Sequence, residues 1–332
     1  MTEMTADRAP SAELLPRFEA YRSELTGYCY RMLGSAFEAE DAVQEAFVRA
    51  WRALDRFEGR SALRSWLYRI ATNVCLDMLG SRQRRARPMD MGPAQPAEAG
   101  LAEPLPDTAW VEPIPEDRAV PSGGDPADLA VARESIRLAF VAALQHLPPR
   151  QRAVLILREV LRWHADEVAE LLETSVASVN SALQRARATL AAQQATEERA
   201  IADGLDDAHR ALLDRYVDAF ERYDMDALTA VLHDDARWNM PPYELWLQTH
   251  DDVVKWCMGP GIGCQGSRLL PTRASGLPAY GQYKPSADGT YLEPWSLQVV
   301  ELSGDRIDGI TFFLDTAHLF PLFGLPERLE RQ

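Results

Sequence analysis

The clearest hydrophobic pattern lies between Trp163 and Leu190, where it predicts two helices. In the second helix, apolar residues recur every three or four positions and share one face: Val176, Val179, Leu183, Ala186 and Leu190. A shorter amphipathic stretch, residues 166–172, precedes it, and only residues 173–175 separate the two. Thr174 and Ser175 can cap the free amides of the second helix. This pattern is typical of a helix-turn-helix, whose second helix enters the major groove of DNA.

The outer face of the second helix carries the chemistry for reading DNA. The residues that remain free there are Ser175, Ala177, Ser178, Asn180, Ser181, Gln184, Arg185 and Arg187. Asn180 and Gln184 lie one turn apart and can pair with adenine edges, while arginines hold phosphates or guanine. No acid occurs over residues 176–190. The alternative interpretation is an ordinary helical hairpin, because such a motif alone is only a hypothesis.

Overall charge argues against a general nucleic-acid coat. The chain has 332 residues and a formal net charge of −15, whereas nonspecific DNA binding depends on cations that meet phosphates. Any DNA contact is therefore expected to be local. Four scattered cysteines fit neither a disulfide framework nor a zinc site, so we predict free thiols, no metal and no cofactor. The sequence has no signal-peptide or membrane-helix pattern, and we expect a cytoplasmic protein that does not bind membranes.

Two helical stretches of opposite charge precede the helix-turn-helix. Residues 39–54 form an amphipathic helix that opens with acids and has no base before Arg49. Acids at a helix start can simply favour the helix dipole. Residues 57–87 instead contain seven arginines against two acids, with Phe57, Trp66 and Tyr68 interleaved. Basic and aromatic side chains together can bind single-stranded nucleic acid, although aromatics at helical spacing are more often core.

These stretches carry a family resemblance. AEDAVQEAFVRAWRALDRF, followed by FEGRSALRSWLYRIATNVCLDMLGSRQRR, resembles region two of an extracytoplasmic-function (ECF) sigma factor, and the helix-turn-helix resembles region four. The resemblance implies that Asp41, Gln44 and Glu45 bind core RNA polymerase, with Phe47 and Trp51 behind them in the protein core. It also implies that the next segment melts the promoter and reads a base flipped out at the upstream edge of the bubble. The residues expected there are Phe57, Arg60, Ser61, Ala62, Arg64, Asn73, Arg82, Arg84 and Arg85.

The resemblance sets domain bounds: region two at 13–87, a linker at 88–130 and region four at 131–195. The linker holds nine of the 22 prolines and nine acids against one base, a composition that predicts an extended or disordered segment without a core. It is either a passive tether or an acidic strand that follows the polymerase channel. Two departures from the family stand in region four. Glu173 stands where the family usually has the glycine of the turn. Asn180 and Ala182 occupy positions of the recognition helix that are commonly basic, so we expect weaker binding to the DNA backbone.

Beyond residue 195 the chain is long enough for another domain. Helical periodicity over residues 206–223 and 226–232 gives way to alternation at Trp295, Leu297 and Val299, a turn at 303–305 and a returning strand over 307–314. This α+β pattern over residues 204–330 resembles the SnoaL-like branch of the NTF2-like cone, which wraps a curved sheet around a pocket. Possible pocket residues are Trp238, Tyr243, Trp246, Tyr283, Trp295, Phe312, Asp315 and His318.

The combined prediction is a multidomain fold, with two all-α sigma domains and a C-terminal α+β SnoaL-like cone. The expected function is that of an ECF sigma factor, not an enzyme, whose C-terminal domain regulates it in cis. The expected partners are core RNA polymerase, promoter DNA both as duplex and as melted strand, and the chain's own C-terminal domain; an unknown small ligand stays open. Two alternatives stay open as well: a helix-turn-helix regulator with a ligand-sensing domain, and a DNA-binding domain fused to a SnoaL-like isomerase or hydrolase.

The apolar C-terminal segment, residues 316–332, must cover something. It could seal its own cone, or it could dock against region two or four.

Overall fold

The computed structural model describes residues 16–54, 57, 62–80, 84–194 and 206–331. They divide into two compact units. The helical unit contains the described residues up to 84 together with 111–194. The sheet unit contains residues 85–110 together with 206–331. The chain therefore leaves the helical unit, enters the sheet unit and returns.

Three helices open the helical unit: α1 (Arg22–Leu33), α2 (Ala36–Arg52) and α3 (Leu63–Leu79). Gly34 ends α1 in the left-handed conformation (φ +76°), and the Ser35 hydroxyl then accepts the Glu38 amide at 3.2 Å to start α2. Their apolar faces meet in a core that contains Leu25, Val43 and Leu67, all fully buried. The pattern prediction of an all-helical first region is confirmed.

Six further helices complete the described part of the helical unit. They are α4 (Glu116–Ala119), α5 (Pro126–Glu134), α6 (Leu138–Gln145), α7 (Pro149–Leu155), α8 (Ala165–Leu171) and α9 (Val176–Gln194). Gly27 on α1 is needed for close packing, because a Cβ there would lie 2.3 Å from the Ala119 carbonyl oxygen of α4. The prolines at 148 and 149 separate α6 from α7, as their positions predict.

Two buried arginines join the first three helices to the later ones. Arg31 on α1 donates to the Ser135 hydroxyl at 2.7 and 2.9 Å, and Arg152 on α7 donates to the Met32 carbonyl. Burial lowers the pKa of each guanidinium to about 10. Each part of the helical unit thus inserts one arginine into the other.

The sheet unit combines helices α10 (Asp207–Arg222), α11 (Met225–Val231), α12 (His250–Met258) and α13 (Thr316–Leu322) with seven strands. The strands are β1 (Leu232–Asn239), β2 (Trp246–Leu247), β3 (Arg268–Ala274), β4 (Leu277–Pro285), β5 (Tyr291–Ser303), β6 (Arg306–Phe313) and β7 (Leu329–Glu330). Their order is β2-β1-β6-β5-β4-β3, with β7 beside β5; β1 and β6 are parallel and the other pairs antiparallel. The predicted helix and hairpin are confirmed, with the turn at Gly304 (φ +58°).

Residues 85–110 form a loop of the sheet unit whose two ends are joined. The Ala86 amide donates to the Ala109 carbonyl at 2.8 Å, and Arg85 Nη1 donates to the Trp110 carbonyl at 2.6 Å. Midway, the Gln95 amide donates to the Trp246 carbonyl at 2.9 Å, and Ala97 is 1% exposed within the core of the sheet unit. We call residues 85–110 the docked loop. The expectation that this composition cannot bury side chains is wrong, because small and apolar residues sit between its prolines.

The C-terminal segment covers its own sheet. Phe320 on α13 meets the Tyr283 ring edge to face at 5.2 Å, and Leu325 occupies the space left by the missing side chain of Gly281. The Tyr283 hydroxyl donates to the Pro326 carbonyl at 2.8 Å. Of the two expectations for this segment, the structure supports sealing of its own domain.

Candidate nucleic-acid and ligand sites

The helix-turn-helix is formed by α8 and α9, and its packing separates a buried from an exposed face. Val179, Leu183 and Ala186 are buried, at 6% exposure or less, as the periodicity predicts. Val176 is 42% exposed, so its assignment to the buried face is wrong; it stands in the first turn, before the helix meets its neighbours. All eight predicted DNA-reading residues are exposed: Ser175, Ala177, Ser178, Asn180, Ser181, Gln184, Arg185 and Arg187.

The turn between the two helices has a strained residue. Glu173 adopts φ +51°, the left-handed conformation that glycine occupies at least cost. The next residues then start α9, and the Ser175 hydroxyl accepts the Ser178 amide at 3.2 Å. The turn therefore keeps its shape without glycine, at a cost in stability of about 1–3 kcal/mol.

The residues expected to bind core polymerase lie on α2. Asp41, Gln44 and Glu45 are exposed along one side of the helix, and Glu45 pairs with Arg49 at 2.8 Å. Trp51 was expected behind them in the core and is instead 43% exposed. It stands in the last turn of α2, next to Arg52 at the end of the helix. This surface is therefore acidic with an aromatic residue at one end.

The expected promoter-melting residues have different surroundings. Ala62 and Asn73 are exposed at the start and on one side of α3, and the Phe57 ring lies 4.8 Å from the Trp66 ring. Arg60, Ser61 and Arg82 lie outside the described residues. Arg84 is exposed, with its guanidinium 2.6 Å from His146 Nδ1.

Arg64 is held inside the helical unit. Its Nε donates to Glu24 at 2.6 Å, and the same carboxylate oxygen accepts the Tyr68 hydroxyl at 2.8 Å. The guanidinium also lies 5.2 Å from the Trp163 ring, between the first helices and the helix-turn-helix. The Tyr68 and Trp163 rings are 5.0 Å apart. Arg64 is thus oriented by protein contacts on three sides.

Arg85 belongs to the docked loop and is 6% exposed. Its guanidinium donates to the Asp107 carbonyl at 2.8 Å and to the Trp110 carbonyl at 2.6 Å. A phosphate cannot reach it in this conformation, and the expected DNA surface has to be corrected by leaving Arg85 out.

The sheet unit encloses a cavity of about 170 Å³. Its walls come from the docked loop, α10, β1, the segment from α12 to the following turn, β4, β5 and β6. The lining residues are Leu101, Phe220, Tyr223, Trp238, Met240, Trp256, Cys257, Pro260, Gly261, Gly263, Cys264, Gln282, Lys284, Trp295, Phe312 and Leu314. The Trp238 and Phe312 rings are stacked, 4.4 Å apart. The lining is therefore mostly apolar and includes six aromatic side chains, as is usual for small-molecule sites.

Three of the expected pocket residues line this cavity: Trp238, Trp295 and Phe312. The other five are not among its lining residues and have different contacts. Trp246 donates to the Gly92 carbonyl at 2.9 Å and so holds the docked loop, while Tyr283 packs against the C-terminal segment. Asp315 and His318 form a local ion pair at 2.8 Å in the first turn of α13, and Tyr243 is partly buried at the edge of the core.

Sequence reasoning did not find the polar end of the cavity. Lys284 and Gln282 are on β4, and both point to the side that Cys264 and Trp295 also line. Alternation along β4 from Tyr280 could have indicated them. The two cysteines of the wall remain thiols, since burial raises the pKa of Cys257 to about 12 and also raises the pKa of Cys264.

Comparison with known proteins identifies both parts of the helical unit. Residues 17–85 match the family model of sigma-70 region 2, and residues 137–190 match that of sigma-70 region 4. The chain is therefore built as a sigma factor.

Relatives of similar length give the family. The chain is 44% identical to the ECF RNA polymerase sigma factor SigG of Mycobacterium tuberculosis, over 94% of this chain and 83% of that protein. It is 29% identical to SigJ of the same species, over 82% of each. The chain belongs to the ECF RNA polymerase sigma factors.

A solved structure supports the arrangement of the fold. The crystal structure of the Mycobacterium tuberculosis ECF sigma factor SigJ matches with a TM-score of 0.58 at 24% identity, over 90% of this chain and 95% of that one. In the described chain, the C-terminal domain combines helices with a seven-stranded sheet and is of the α+β class. Within the described ranges, no helix has the length and hydropathy to cross a membrane, and no cluster of three or more metal-binding side chains occurs.

Proposed function

We propose that this chain directs core RNA polymerase to specific promoters, and that its C-terminal domain regulates it in cis without catalysing a reaction. The observation that carries the promoter assignment is the exposed face of α9. Eight polar or small side chains point outward there, and three buried apolar side chains fix the helix behind them. Asn180 and Gln184 read base edges, and Arg185 and Arg187 hold the duplex.

The acidic side of α2 is the proposed contact to core polymerase. Asp41, Gln44 and Glu45 are exposed and free of large neighbours, and the exposed Trp51 extends the surface. Charged side chains around an aromatic residue give such an interface both steering and an anchor.

Promoter melting is assigned to the start of α3. Ala62, Asn73 and Arg84 are accessible, and Phe57 lies near Trp66. Arg60, Ser61 and Arg82 are included on the family resemblance alone, because they lie outside the described residues. Arg64 is bound to Glu24 and lies against Trp163, so it would have to give up these contacts to bind DNA with its full guanidinium.

The docked loop suggests how regulation works. Its ends are paired at Ala86 and Ala109, so the segment that comes from region two and the segment that leads to region four meet at one point. If released, residues 85–110 could extend by about 3.3–3.6 Å per residue and let the two regions separate. Docking therefore restrains separation, and release permits it.

An enzymatic function finds little support. The Asp315–His318 pair does not line the cavity, and the two lining cysteines have raised pKa values that disfavour the nucleophilic thiolate. A regulator that binds DNA without polymerase would leave the acidic side of α2 without a role.

The test is run-off transcription with purified core polymerase and the full chain. Asp41→Arg should abolish co-elution with core polymerase and promoter-specific transcription. Asp207→Arg, at a fully exposed acid of the sheet unit, is the matched control and should change neither. Normal co-elution of the Asp41→Arg protein would contradict the proposed polymerase surface.

Regulation in cis is tested at two alanines of the docked loop. Ala97→Asp places a charge in the core and should release the loop and raise promoter-specific output, whereas Ala99→Asp, at an exposed position two residues on, should not. Removal of the whole C-terminal domain is a poorer test, because it leaves the docked loop without its partner. Equal output from the two variants, with the loop shown to be released, would refute regulation by docking.

A further inference from the structure

The cavity of the sheet unit has one charged end and one aromatic end. Lys284 supplies the only charge among its lining residues in the described part of the chain, and no carboxylate lines it. The Lys284 ammonium lies 3.7 Å from the Trp295 ring centroid and 3.6 Å from Glu293, which is partly exposed and outside the lining. An anionic group that enters the cavity would meet this ammonium, whereas a cationic group would be repelled by it and would meet no carboxylate in the lining.

A polar network keeps the neighbouring Gln282 in one orientation. Its Oε1 accepts the Ser296 hydroxyl at 2.7 Å and Gln298 Nε2 at 3.0 Å, so its Nε2 is left to donate, and one bond goes to Ser267 at 3.1 Å. The chain continues to the buried Tyr216 hydroxyl, which donates to Gln298 at 2.6 Å. Beside Lys284 the wall therefore presents an amide whose acceptor side is already satisfied.

The opposite end is shaped for a flat apolar group. Trp238 and Phe312 are stacked with an angle of 29° between their planes, on the adjacent strands β1 and β6, whereas Lys284 is on β4, two strands away from β6. A dry cavity of about 150 Å³ is known to hold one benzene molecule, so about 170 Å³ suits one or two fused rings.

The rim of the cavity belongs to the docked loop. Leu101 lines the cavity and is 43% exposed, which places it at the mouth. Gly100 turns the chain there with φ +70°. The loop is held nearby by the Leu105 amide, which donates to the Pro242 carbonyl at 2.9 Å. A ligand in the cavity would pack against Leu101 and add apolar contact to this loop.

We propose that the cavity binds a small planar aromatic acid, with its rings on Trp238 and Phe312 and its carboxylate on Lys284, and that occupancy holds the docked loop in place. The second half deepens the proposed regulation in cis and rests on it. The acid is identified by its chemistry: one or two rings, one negative charge and no cationic group.

Binding is tested by calorimetry on the full chain, with 2-naphthoate as the probe and the neutral 2-naphthamide as its isostere. The naphthoate should bind about five- to tenfold more tightly, because hydrogen bonds to charged groups are the stronger ones. Lys284→Met should remove that preference, and Lys255→Met, at an exposed lysine outside the cavity, should keep it. The assignment would be overturned if naphthoate did not bind up to its solubility limit. It would also be overturned if the Lys284→Met protein preferred naphthoate over naphthamide as strongly as the unaltered chain does.

Coupling to the loop is tested by hydrogen exchange with the same probe. Saturating naphthoate should slow exchange at the amides of Gln95 and Leu105. Leu101→Ser removes the proposed contact between ligand and loop, so it should weaken binding and reduce this slowing even at a naphthoate concentration that saturates the variant. Tight binding with unchanged exchange would overturn the coupling and leave the site intact. Neither measurement contains polymerase or promoter, so a negative result here is distinct from a failure of the sigma-factor proposal.

Discussion

Helices α3 and α9 both carry arginines toward proposed DNA surfaces, but they use them differently. On α9, Arg185 and Arg187 are exposed, and Arg187 forms an ion pair with Glu159 at 2.6 Å. On α3, the Arg64 side chain is 40% exposed, but its guanidinium is held by Glu24 and lies against the Tyr68 and Trp163 rings. The same residue type is proposed to hold DNA on one helix and joins parts of the protein on the other.

This difference shows that exposure, more than residue type, separates a recognition surface from a structural one. A side chain with its hydrogen bonds already satisfied inside the protein gains little from DNA unless the protein contacts are first lost. Substitutions on α9 should therefore affect binding alone, and substitutions around Arg64 should affect folding.

The largest effect is expected from the double variant Asn180→Ala and Gln184→Ala. Each bidentate base contact contributes about 1–3 kcal/mol of discrimination, so preference for the cognate promoter over a scrambled duplex should fall at least tenfold. Competition binding with reconstituted holoenzyme measures this. The free energy of unfolding should change by less than about 0.5 kcal/mol, and a larger change would place these side chains in the structure rather than on the DNA.

Glu24→Ala should lower the free energy of unfolding by about 2 kcal/mol, because it leaves the Arg64 guanidinium and the Tyr68 hydroxyl without their shared acceptor. Urea denaturation of the full chain measures it. The matched control is Glu19→Ala, which breaks an exposed ion pair with Arg22 and should cost below about 1 kcal/mol. Equal losses in the two variants would mean that Arg64 is no better anchored than a surface arginine.

The smallest effect is expected at the turn between α8 and α9. Glu173→Gly should raise the free energy of unfolding by up to about 1 kcal/mol, since glycine accepts φ +51° without strain and only partly offsets this by its greater freedom when unfolded. Thermal unfolding checks the direction. Cognate promoter preference should be unchanged, because Glu173 precedes the reading face.

How far the sequence predicts this structure depends on how local each feature is. The face of α9 follows from spacing within one helix, so Val179 and Asn180 were assigned to opposite sides correctly. The predicted burial of Trp51 and Val176 is wrong, because the burial of a residue at a helix end depends on which other part of the protein packs against it. The enclosure of Arg64 could not be predicted, since it requires Trp163 from a distant helix.

The cavity lining and the packing of the docked loop could not be predicted for the same reason. The lining of the cavity comes from the docked loop, α10, α12 with the turn after it, and four strands, and no short-range pattern in the sequence shows how these elements come together. Aromatic residues alone indicated Trp238, Trp295 and Phe312, but they equally indicated Tyr283, which faces the C-terminal segment. The proline- and acid-rich composition of the linker predicts an extended or disordered segment, and it could not show that Ala97 packs into the core of another domain.

The reciprocal arginines of the helical unit have one more consequence. Arg31 and Arg152 each give up hydration to bind across to the other part of the unit. When the two parts separate, both cations regain water, which compensates much of the lost hydrogen bonding. An all-apolar seam of the same size would regain no such hydration, so separating the two parts should cost less free energy here than at an apolar seam.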